Sequence, residues 1–196
     1  MKLQREFYNR SALIVAQELI GKKLVHGDTA GIIIETEAYL GELDAAAHSY
    51  KGRTARTEIQ FGAGGFAYVY QIYGKNFCFN VVANLENIPE AVLIRALEPT
   101  DGVELMKIRR NKNNLRDLCS GPGKLAQALS ITKNLNGADL CGGEIFIEEA
   151  GINPRVKTTK RIGIDYAGDA ANYLWRFIFD SGSERISKSG VEEKVI

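Results

Sequence analysis

Two glutamates that follow an isoleucine run carry the first chemistry suggested by the sequence. Glu35 and Glu37 lie in the segment GIIIETEAY, residues 31–39. In a β-strand, strict alternation would place Glu35, Glu37 and Tyr39 on one face, together with Ile33. Glutamate is a poor strand former and resists burial. The pair is therefore either the solvated end of a strand or a functional carboxylate pair.

Arg95 is the natural partner for these carboxylates. It lies inside the apolar segment AVLIRAL, residues 91–97, so its guanidinium must either pair with a carboxylate or reach solvent. Glu35 and Glu37 are the acidic residues most embedded in apolar sequence. A Glu–Arg pair in a dry cleft can hold a water molecule and accept its proton. A buried salt bridge without any chemistry is the open alternative.

An aromatic-rich segment, FGAGGFAYVYQIYGKNFCFN, is the second candidate for function. It holds seven aromatic residues between positions 61 and 80. Core packing explains the phenylalanines well and Tyr73 less well, because Tyr73 borders the turn Gly74-Lys75-Asn76 and would project from a hairpin tip. An exposed tyrosine beside a lysine suits a surface that stacks on bases or wedges between them.

Two further residues suggest weaker sites. His48 stands in AAAHSYKG, and a lone histidine of this kind is usually a surface or hydrogen-bonded residue. Lys124 lies at a helix start in CSGPGKLAQAL, where backbone N–H groups favour an anion such as a phosphate. The sequence is not a P-loop, because GxxxxGK[ST] is absent, and an ordinary helix opened by proline explains it equally well.

The elements that must position these residues are mostly strands joined as hairpins. The strands are predicted at 24–26, 31–39, 66–73, 77–83, 91–97 (ended by Pro99), 144–149 and, more weakly, 161–164 and 174–179. Helices are predicted at 12–20 after a Ser11 or Asn9 cap, from a Thr100 or Asp101 cap to about 110, and at 123–129. This pattern predicts one α+β domain, residues 1–196, with a mainly antiparallel sheet.

Composition excludes several classes of protein. The 196 residues are 45% hydrophobic and 25% charged, which supports a folded core and argues against disorder. Three cysteines without a CxxC pair suggest free thiols in a reducing compartment and argue against zinc or iron–sulfur sites. No segment has the length of a signal peptide's apolar region or a membrane span. We therefore expect a soluble, intracellular protein.

Six segments together resemble one family, the alkyladenine (3-methyladenine, N-methylpurine) DNA glycosylases. They are, in chain order, ETEAYLGELDAAAHS, FAYVYQIYG, FCFN, LIRALEP, LCSGPGKLAQAL and RIGIDYAG, and the resemblance extends from about residue 7 to 186. It implies a curved, open-barrel-like β core with surrounding helices and a protruding aromatic hairpin. It also implies a monomer of the cytoplasm or nucleoid that excises alkylated or deaminated purines from double-stranded DNA and leaves an abasic site, without strand cleavage. It implies no metal and no cofactor.

The resemblance implies roles for individual residues. Glu37 matches the general base that activates the attacking water, and Arg95 matches the arginine that helps hold this water. Tyr73 matches the tyrosine inserted into the minor groove. The pocket for the flipped purine is matched by Tyr39, His48 and Tyr70 as stacking walls, by Asn80 as the residue that discriminates against guanine, and by Ala46 and Leu93. The residues expected to contact the DNA backbone are Arg53, Arg56, Lys124, Gly182 and Ser183.

Some positions depart from the family pattern. The family often reads TPRN followed by a methionine, where this chain has Thr54-Ala55-Arg56-Thr57 and then Gln60. These departures leave the strength of the DNA contacts and the substrate range open. A non-catalytic binder of damaged DNA and a hydrolase of free nucleosides also stay open as alternatives.

The formal net charge of +1 at first argues against a nucleic-acid partner. A neutral total can nevertheless hide a basic face, since phosphate contacts depend on the local potential. The basic residues that we expect near such a face lie in loops, turns and helix ends, at positions 51, 53, 56, 75, 107, 109, 110, 112, 124, 155, 157, 160 and 161. We therefore expect modest affinity for duplex DNA that falls steeply with salt.

Overall fold

A computed structural model describes residues 1–72, 74 and 76–180 of the chain. Tyr73, Gly182 and Ser183 lie outside the described residues. The strands are β1 (Lys23–His26), β2 (Thr29–Tyr39), β3 (Ala67–Gln71), β4 (Phe77–Ala83), β5 (Glu90–Asp101), β6 (Ile145–Glu148), β7 (Arg155–Thr159) and β8 (Arg176–Asp180). The α-helices are α1 (Arg5–Tyr8), α2 (Ala12–Leu19), α3 (Val103–Arg110) and α4 (Pro122–Ala128).

The strands form one antiparallel sheet that curls into a half-barrel. Its order is β3-β4-β5-β2-β1-β6. Strand β2 is long enough to have two partners along the same edge: β1 pairs with its first residues and β8 pairs with residues 35–37. Strand β7 then pairs with β8. The predicted α+β domain with a curved antiparallel core is confirmed.

The main hydrophobic core lies on one face of this sheet, under α2, α3 and α4. Helix α2 begins where the Ser11 side chain accepts a hydrogen bond from the Leu13 N–H, as an N-cap should. Its other end packs on β2, where the Thr36 hydroxyl donates to the Ala16 carbonyl at 2.7 Å. Ile33 and Ala38 are both fully buried in this core. The opposite face of β2 is thereby left for other contacts.

Strand β2 does not alternate strictly, which corrects the expectation that Ile33 shares a face with the glutamates. The register passes from Ile33 opposite Leu97 to Glu35 opposite Ala96, so Ile34 is an extra residue. This β-bulge reverses the phase of the alternation. Ile33 therefore enters the core, whereas Ile34 packs with Ala96 in a separate small cluster.

A second bulge on the neighbouring strand compensates the first. The register passes from Glu35 opposite Ala96 to Thr36 opposite Ile94, which leaves Arg95 as the extra residue of β5. Both strands then resume regular pairing, with Glu37 opposite Leu93. The two bulges turn Glu35 and Arg95 toward the same face of the sheet.

Several predicted boundaries are wrong. Strand β5 continues through Pro99 to Asp101. Proline is tolerated there because β4 pairs with β5 only over residues 90–93, so among the described strands only β2 lies beside Pro99. Helix α3 is preceded by Gly102 at φ +65°, not capped by Thr100 or Asp101. A Cβ at Gly102 would collide with the Asp28 carbonyl oxygen.

The region after β6 also differs from the prediction. Residues 161–164 form no strand, and β7 was not predicted at all. Strand β8 begins at Arg176, within the predicted segment. All three cysteines are free thiols, as expected. In the described part of the chain, no helix is long and apolar enough to cross a membrane.

Candidate active site

A pocket of about 180 Å³ opens on the face of the sheet opposite the main core. Its volume is below the range typical of drug-sized ligands and suits a smaller molecule. All six predicted pocket residues and Arg95 line it. The full lining is Tyr39, Ala46, His48, Gln60, Tyr68, Tyr70, Cys78, Asn80, Ala91, Leu93, Arg95, Pro122, Ile162, Gly163, Ile164 and Tyr166.

Glu37 does not itself line this pocket: it is fully buried and contacts three residues that do, Tyr39, Arg95 and Ile162. Three groups donate to its carboxylate: the Tyr39 hydroxyl to Oε2 at 2.8 Å, the Ile162 backbone N–H to Oε1 at 2.8 Å and Arg95 to Oε2 at 3.3 Å. Burying a carboxylate is costly unless it is paired and hydrogen-bonded. These donors therefore hold Glu37 in a fixed position next to the cavity.

Arg95 is shared between the two glutamates. Its Nε donates to Glu35 Oε1 at 3.0 Å while its other branch reaches Glu37. Glu35 Oε1 also accepts from Arg176 at 3.1 Å. Burial lowers the pKa of Arg95, but the Glu37 and Glu35 carboxylates outweigh burial and raise it. The guanidinium is thus cationic, and the predicted Arg–Glu pairing is present with both glutamates.

Tyr39 connects this charge cluster to the pocket wall. Burial and the neighbouring Glu37 carboxylate raise the pKa of Tyr39 well above the usual value, so the phenol stays protonated. Its hydroxyl donates a hydrogen bond to Glu37. The Arg161 guanidinium stacks over the Tyr39 ring, 4.7 Å from its centroid. It also stacks over Trp175 at 5.0 Å. The Arg161 guanidinium therefore helps to hold the Tyr39 ring in place.

Arg161 is not the surface residue that we expected. Its side chain is fully buried and forms a two-pronged ion pair with Asp44, at 2.5 and 2.8 Å. It also donates to the backbone carbonyls of Ala38 and Ala170. The pair lies next to Ile162, whose N–H contacts Glu37. Arg161 therefore fixes a segment of the active site and contributes no charge to a basic face.

The opposite wall is aromatic. The His48 and Tyr70 rings meet edge to face, with centroids 4.5 Å apart, and Tyr68 lies beside Tyr70 at 5.4 Å. The His48 Nδ1 lies 2.9 Å from the Tyr68 hydroxyl. Arg56 reaches His48 Nε2 at 3.4 Å and stacks over Tyr70 at 5.2 Å. Burial and the Arg56 charge lower the pKa of His48 to about 4, so its imidazole is neutral at pH 7.

The remaining predicted pocket residues are positioned by the sheet and one loop. Asn80 on β4 lies opposite Leu93 on β5, so both side chains face the pocket. The Asn80 amide nitrogen donates to the Tyr68 carbonyl at 3.0 Å. The Ala46 N–H donates to Asp44, which ties the Ala46 loop to Arg161. The pocket is thus built from rigid elements and loops linked to them.

Of the residues predicted to contact the DNA backbone, Arg53, Arg56 and Lys124 are described, and each makes its own local contacts. Arg53 pairs with Glu58 at 2.8 Å and donates to Asn87, outside the pocket. Arg56 lies against the aromatic wall, as described above. Lys124, on α4, donates to the Ser120 hydroxyl at 3.3 Å. Their contacts with DNA stay predictions, as do those of Gly182 and Ser183.

Several pocket residues escaped prediction. Ile162, Gly163, Ile164 and Tyr166 belong to the quoted segment RIGIDYAG, but residues 161–164 were interpreted as a weak strand. Gln60, Tyr68, Cys78 and Pro122 line the pocket but were not predicted as pocket residues. Strand alternation would have found Tyr68, because it lies two residues before Tyr70 on β3 and therefore on the same face. No group of three or more potential metal ligands occurs among the described residues.

The sequence matches one known protein family over most of its length. The model of the methylpurine-DNA glycosylase (MPG) family matches residues 6–183. The chain belongs to the methylpurine-DNA glycosylase family. The resemblance seen in the sequence motifs is therefore confirmed, and the chain is a DNA glycosylase. Membership also implies DNA as the substrate.

Individual relatives of this glycosylase are similar along nearly their whole length. One from Desulfitobacterium hafniense is 51% identical over 193 residues, covering 91% of this chain and 95% of the relative. One from Alkaliphilus oremlandii is 49% identical over 191 residues, covering 90% and 95%. One from Methanocella arvoryzae is 48% identical over 192 residues, covering 95% and 96%. Each is assigned by name as a 3-methyladenine DNA glycosylase.

Proposed function

We propose that this glycosylase hydrolyses the N-glycosidic bond of flipped, alkylated or deaminated purines in double-stranded DNA and leaves an abasic site. Candidate lesions are 3-methyladenine, 7-methylguanine and hypoxanthine. The observation that carries the proposal is the convergence of Tyr39, His48 and Tyr70 on one small pocket that is also lined by Arg95, the partner of Glu37. A planar base fits between aromatic walls, and flipping delivers it there.

In this proposal Glu37 accepts the proton of the water that attacks C1′. A carboxylate offers about four acceptor positions, and the described contacts occupy three of them: two on Oε2 and one on Oε1. One position on Oε1 is left for a water molecule. Because Glu37 is fully buried, this water has to reach it from the pocket. Arg95, which lines the pocket, contributes positive charge that orients the water oxygen.

The chemistry demands little beyond this arrangement. A purine alkylated at N3 or N7 already carries positive charge, so it leaves as a neutral molecule. The enzyme mainly has to flip the nucleotide, stack the base and supply a water molecule, and flipping costs least for weakly paired bases. Water rather than a lysine amine is the nucleophile in this proposal, so the product is an abasic site in an unbroken strand.

The test is excision of a base from a duplex that contains one lesion, measured for the wild type and for Glu37→Gln. We expect the wild type to release the free base and the variant to lose about 10²–10⁴-fold in rate, the usual contribution of a general base. Glu6→Gln, on the exposed side of α1, is the matched control. A folded Glu37→Gln enzyme with full activity on every lesion would refute the assignment.

The same assay separates the competing functions. A non-catalytic binder of damaged DNA would retain duplexes without releasing a base. A nucleoside hydrolase would cleave free nucleosides as fast as the duplex. The family membership and the buried Glu37–Arg95 pair favour the DNA glycosylase.

A further inference from the structure

We propose that Arg56 is a specificity-determining residue, whose positive charge beside the aromatic wall favours neutral purine lesions, such as hypoxanthine, over cationic alkylated purines. This inference rests on the proposed function and concerns the same pocket. The resemblance predicts a contact of Arg56 with the DNA backbone. The structure adds that its guanidinium lies against two residues that line the pocket, His48 and Tyr70.

Two contacts join this guanidinium to the wall. Its Nη2 lies 3.4 Å from His48 Nε2, and its central carbon lies 5.2 Å from the centroid of the Tyr70 ring, within the range of a cation–π contact. The charge also acts on the neighbouring side chains. Together with burial it lowers the pKa of His48, and it opposes the rise that burial gives to the pKa of Tyr68. Side chains that line the pocket are therefore within reach of this charge.

Other charges next to the pocket are paired. Two buried glutamates pair with two arginines, and Asp44 pairs with Arg161. Arg56 is different, because it forms an ion pair with no carboxylate of the residues that the structure describes. The aromatic wall therefore carries a positive charge that no such pair neutralises.

A base in the pocket would lie within the range of this charge. Stacked rings have their centroids about 4.5–7 Å apart, so a base stacked on Tyr70 lies roughly 10 Å from the guanidinium, about the Debye length at 0.1 M salt. Arg56 is exposed, so water screens its charge. We therefore expect effects of about threefold on rates, the scale of one screened charge at this distance.

A neutral lesion gains negative charge during excision. When hypoxanthine leaves, the C1′–N9 bond breaks and its electron pair stays on the purine, which becomes an anion. The water oxygen bonds to C1′, one water proton goes to Glu37, and that proton later reaches the purine through solvent. Because negative charge develops on the base, Arg56 stabilises the transition state relative to free enzyme and free duplex.

A cationic lesion loses its charge during excision. The base of 7-methylguanine is positive before cleavage, and the electron pair from the C1′–N9 bond neutralises it. Arg56 repels this lesion in the pocket, and the repulsion is relieved as the bond breaks. Relative to free enzyme and free duplex the two effects cancel, because the base is nearly neutral in the transition state. The charge of Arg56 therefore raises the efficiency of excision for hypoxanthine but not for 7-methylguanine.

Arg56→Gln tests this inference, because glutamine keeps an N–H donor for His48 but has no charge. Single-turnover excision is measured at increasing enzyme concentration on two duplexes that differ only in the lesion, hypoxanthine or 7-methylguanine. The efficiency on each is the maximal rate divided by the half-saturating enzyme concentration. We expect the ratio of the two efficiencies to shift about threefold against hypoxanthine in Arg56→Gln. In Arg56→Lys, which keeps the charge, it should stay near the wild-type value.

This ratio separates the proposed role from a contact with the DNA backbone. Loss of a phosphate contact weakens the binding of both duplexes equally, because such contacts carry no information about the base. It therefore lowers both efficiencies and leaves their ratio unchanged. Arg53→Gln is the matched control, since Arg53 is an exposed arginine of the same loop that pairs with Glu58 outside the pocket. Its ratio should equal that of the wild type.

The outcomes separate this inference from the function on which it rests. A wild type that releases neither base refutes the proposed function. A wild type that releases only one of the two bases, an unchanged ratio in Arg56→Gln, or an equal shift in Arg56→Lys overturns the role of Arg56 alone. Higher salt should move the wild-type ratio toward that of Arg56→Gln, and a ratio that is constant across salt would also overturn it.

Discussion

Glu35→Gln removes one negative charge from a cluster in which two glutamates are buried with two arginines. Glu35 accepts from Arg95 at 3.0 Å and from Arg176 at 3.1 Å, and its side chain is fully buried. Glutamine keeps the shape and one acceptor oxygen, but Arg176 loses the carboxylate with which it pairs and Arg95 loses one of the two carboxylates beside it. Glu35 is in this view a positioning residue, which acts through Arg95.

The expected cost follows from this geometry. Removing one partner of a buried ion pair costs about 3–5 kcal/mol. Since the glutamine oxygen still accepts a hydrogen bond, we expect the lower end, about 3 kcal/mol. For a chain of this size each kcal/mol corresponds to about 2–4 °C, so the melting temperature should fall by about 6–12 °C. Urea unfolding with an unchanged m-value would show that stability, not the unfolded state, has changed.

Activity should respond differently. Glu37 keeps the Tyr39 hydroxyl and the Ile162 N–H as donors when Glu35 is neutral. Single-turnover excision by folded Glu35→Gln should therefore fall by no more than about tenfold, against about 10²–10⁴-fold for Glu37→Gln. Affinity for a duplex should stay unchanged. If Glu35→Gln melts like the wild type, the ion-pair reasoning is wrong; if it loses as much activity as Glu37→Gln, the choice of Glu37 as base is wrong.

Three other predictions test the wall, the supporting ion pair and the DNA contact. Asp44→Asn should cost about 3–5 kcal/mol in urea unfolding, because it leaves the buried Arg161 guanidinium without its carboxylate; a loss below about 1 kcal/mol would contradict this. His48, which faces Arg56, Tyr68 and Tyr70, should titrate near pH 4 by NMR. Its pKa is lower in the folded state than in the unfolded state, so stability should decline as the pH falls from about 6.5 toward 4, and Arg56→Ala should raise this pKa. Tyr73→Ala should weaken binding to an abasic-site analogue, and wild-type affinity should fall steeply with salt; unchanged affinity in either experiment would refute the corresponding contact.

Patterns within short segments of the sequence were sufficient to predict much of the fold and the pairing of Arg95 with glutamate. The hairpin of β1 and β2, helix α2 with its Ser11 cap and the proline-opened helix α4 follow from periodicity and from end signals that act within a few residues. The pairing of Arg95 with glutamate also follows, because a charge within an apolar strand requires a partner. These features depend on neighbours in sequence or on a general energetic rule.

Other features have no local pattern to reveal them. The bulge at Ile34 depends on how β2 pairs with β5, and alternation alone placed Ile33 on the wrong face. Arg161 and its partner Asp44 are separated by 117 residues, so only the tertiary fold reveals the ion pair.

The two bulges resolve a conflict between the core and the active site. With strict alternation, any register that turned Glu35 and Glu37 away from the core would also remove Ile33 from it. One extra residue on β2 lets Ile33 and Ala38 remain buried while both glutamates face the pocket side. One extra residue on β5 then turns Arg95 toward the same side, where its charge offsets theirs. Removing either bulge alone would therefore bury an unpaired charge. We infer that the two bulges between β2 and β5 are needed to place the glutamates and Arg95 together on the pocket side.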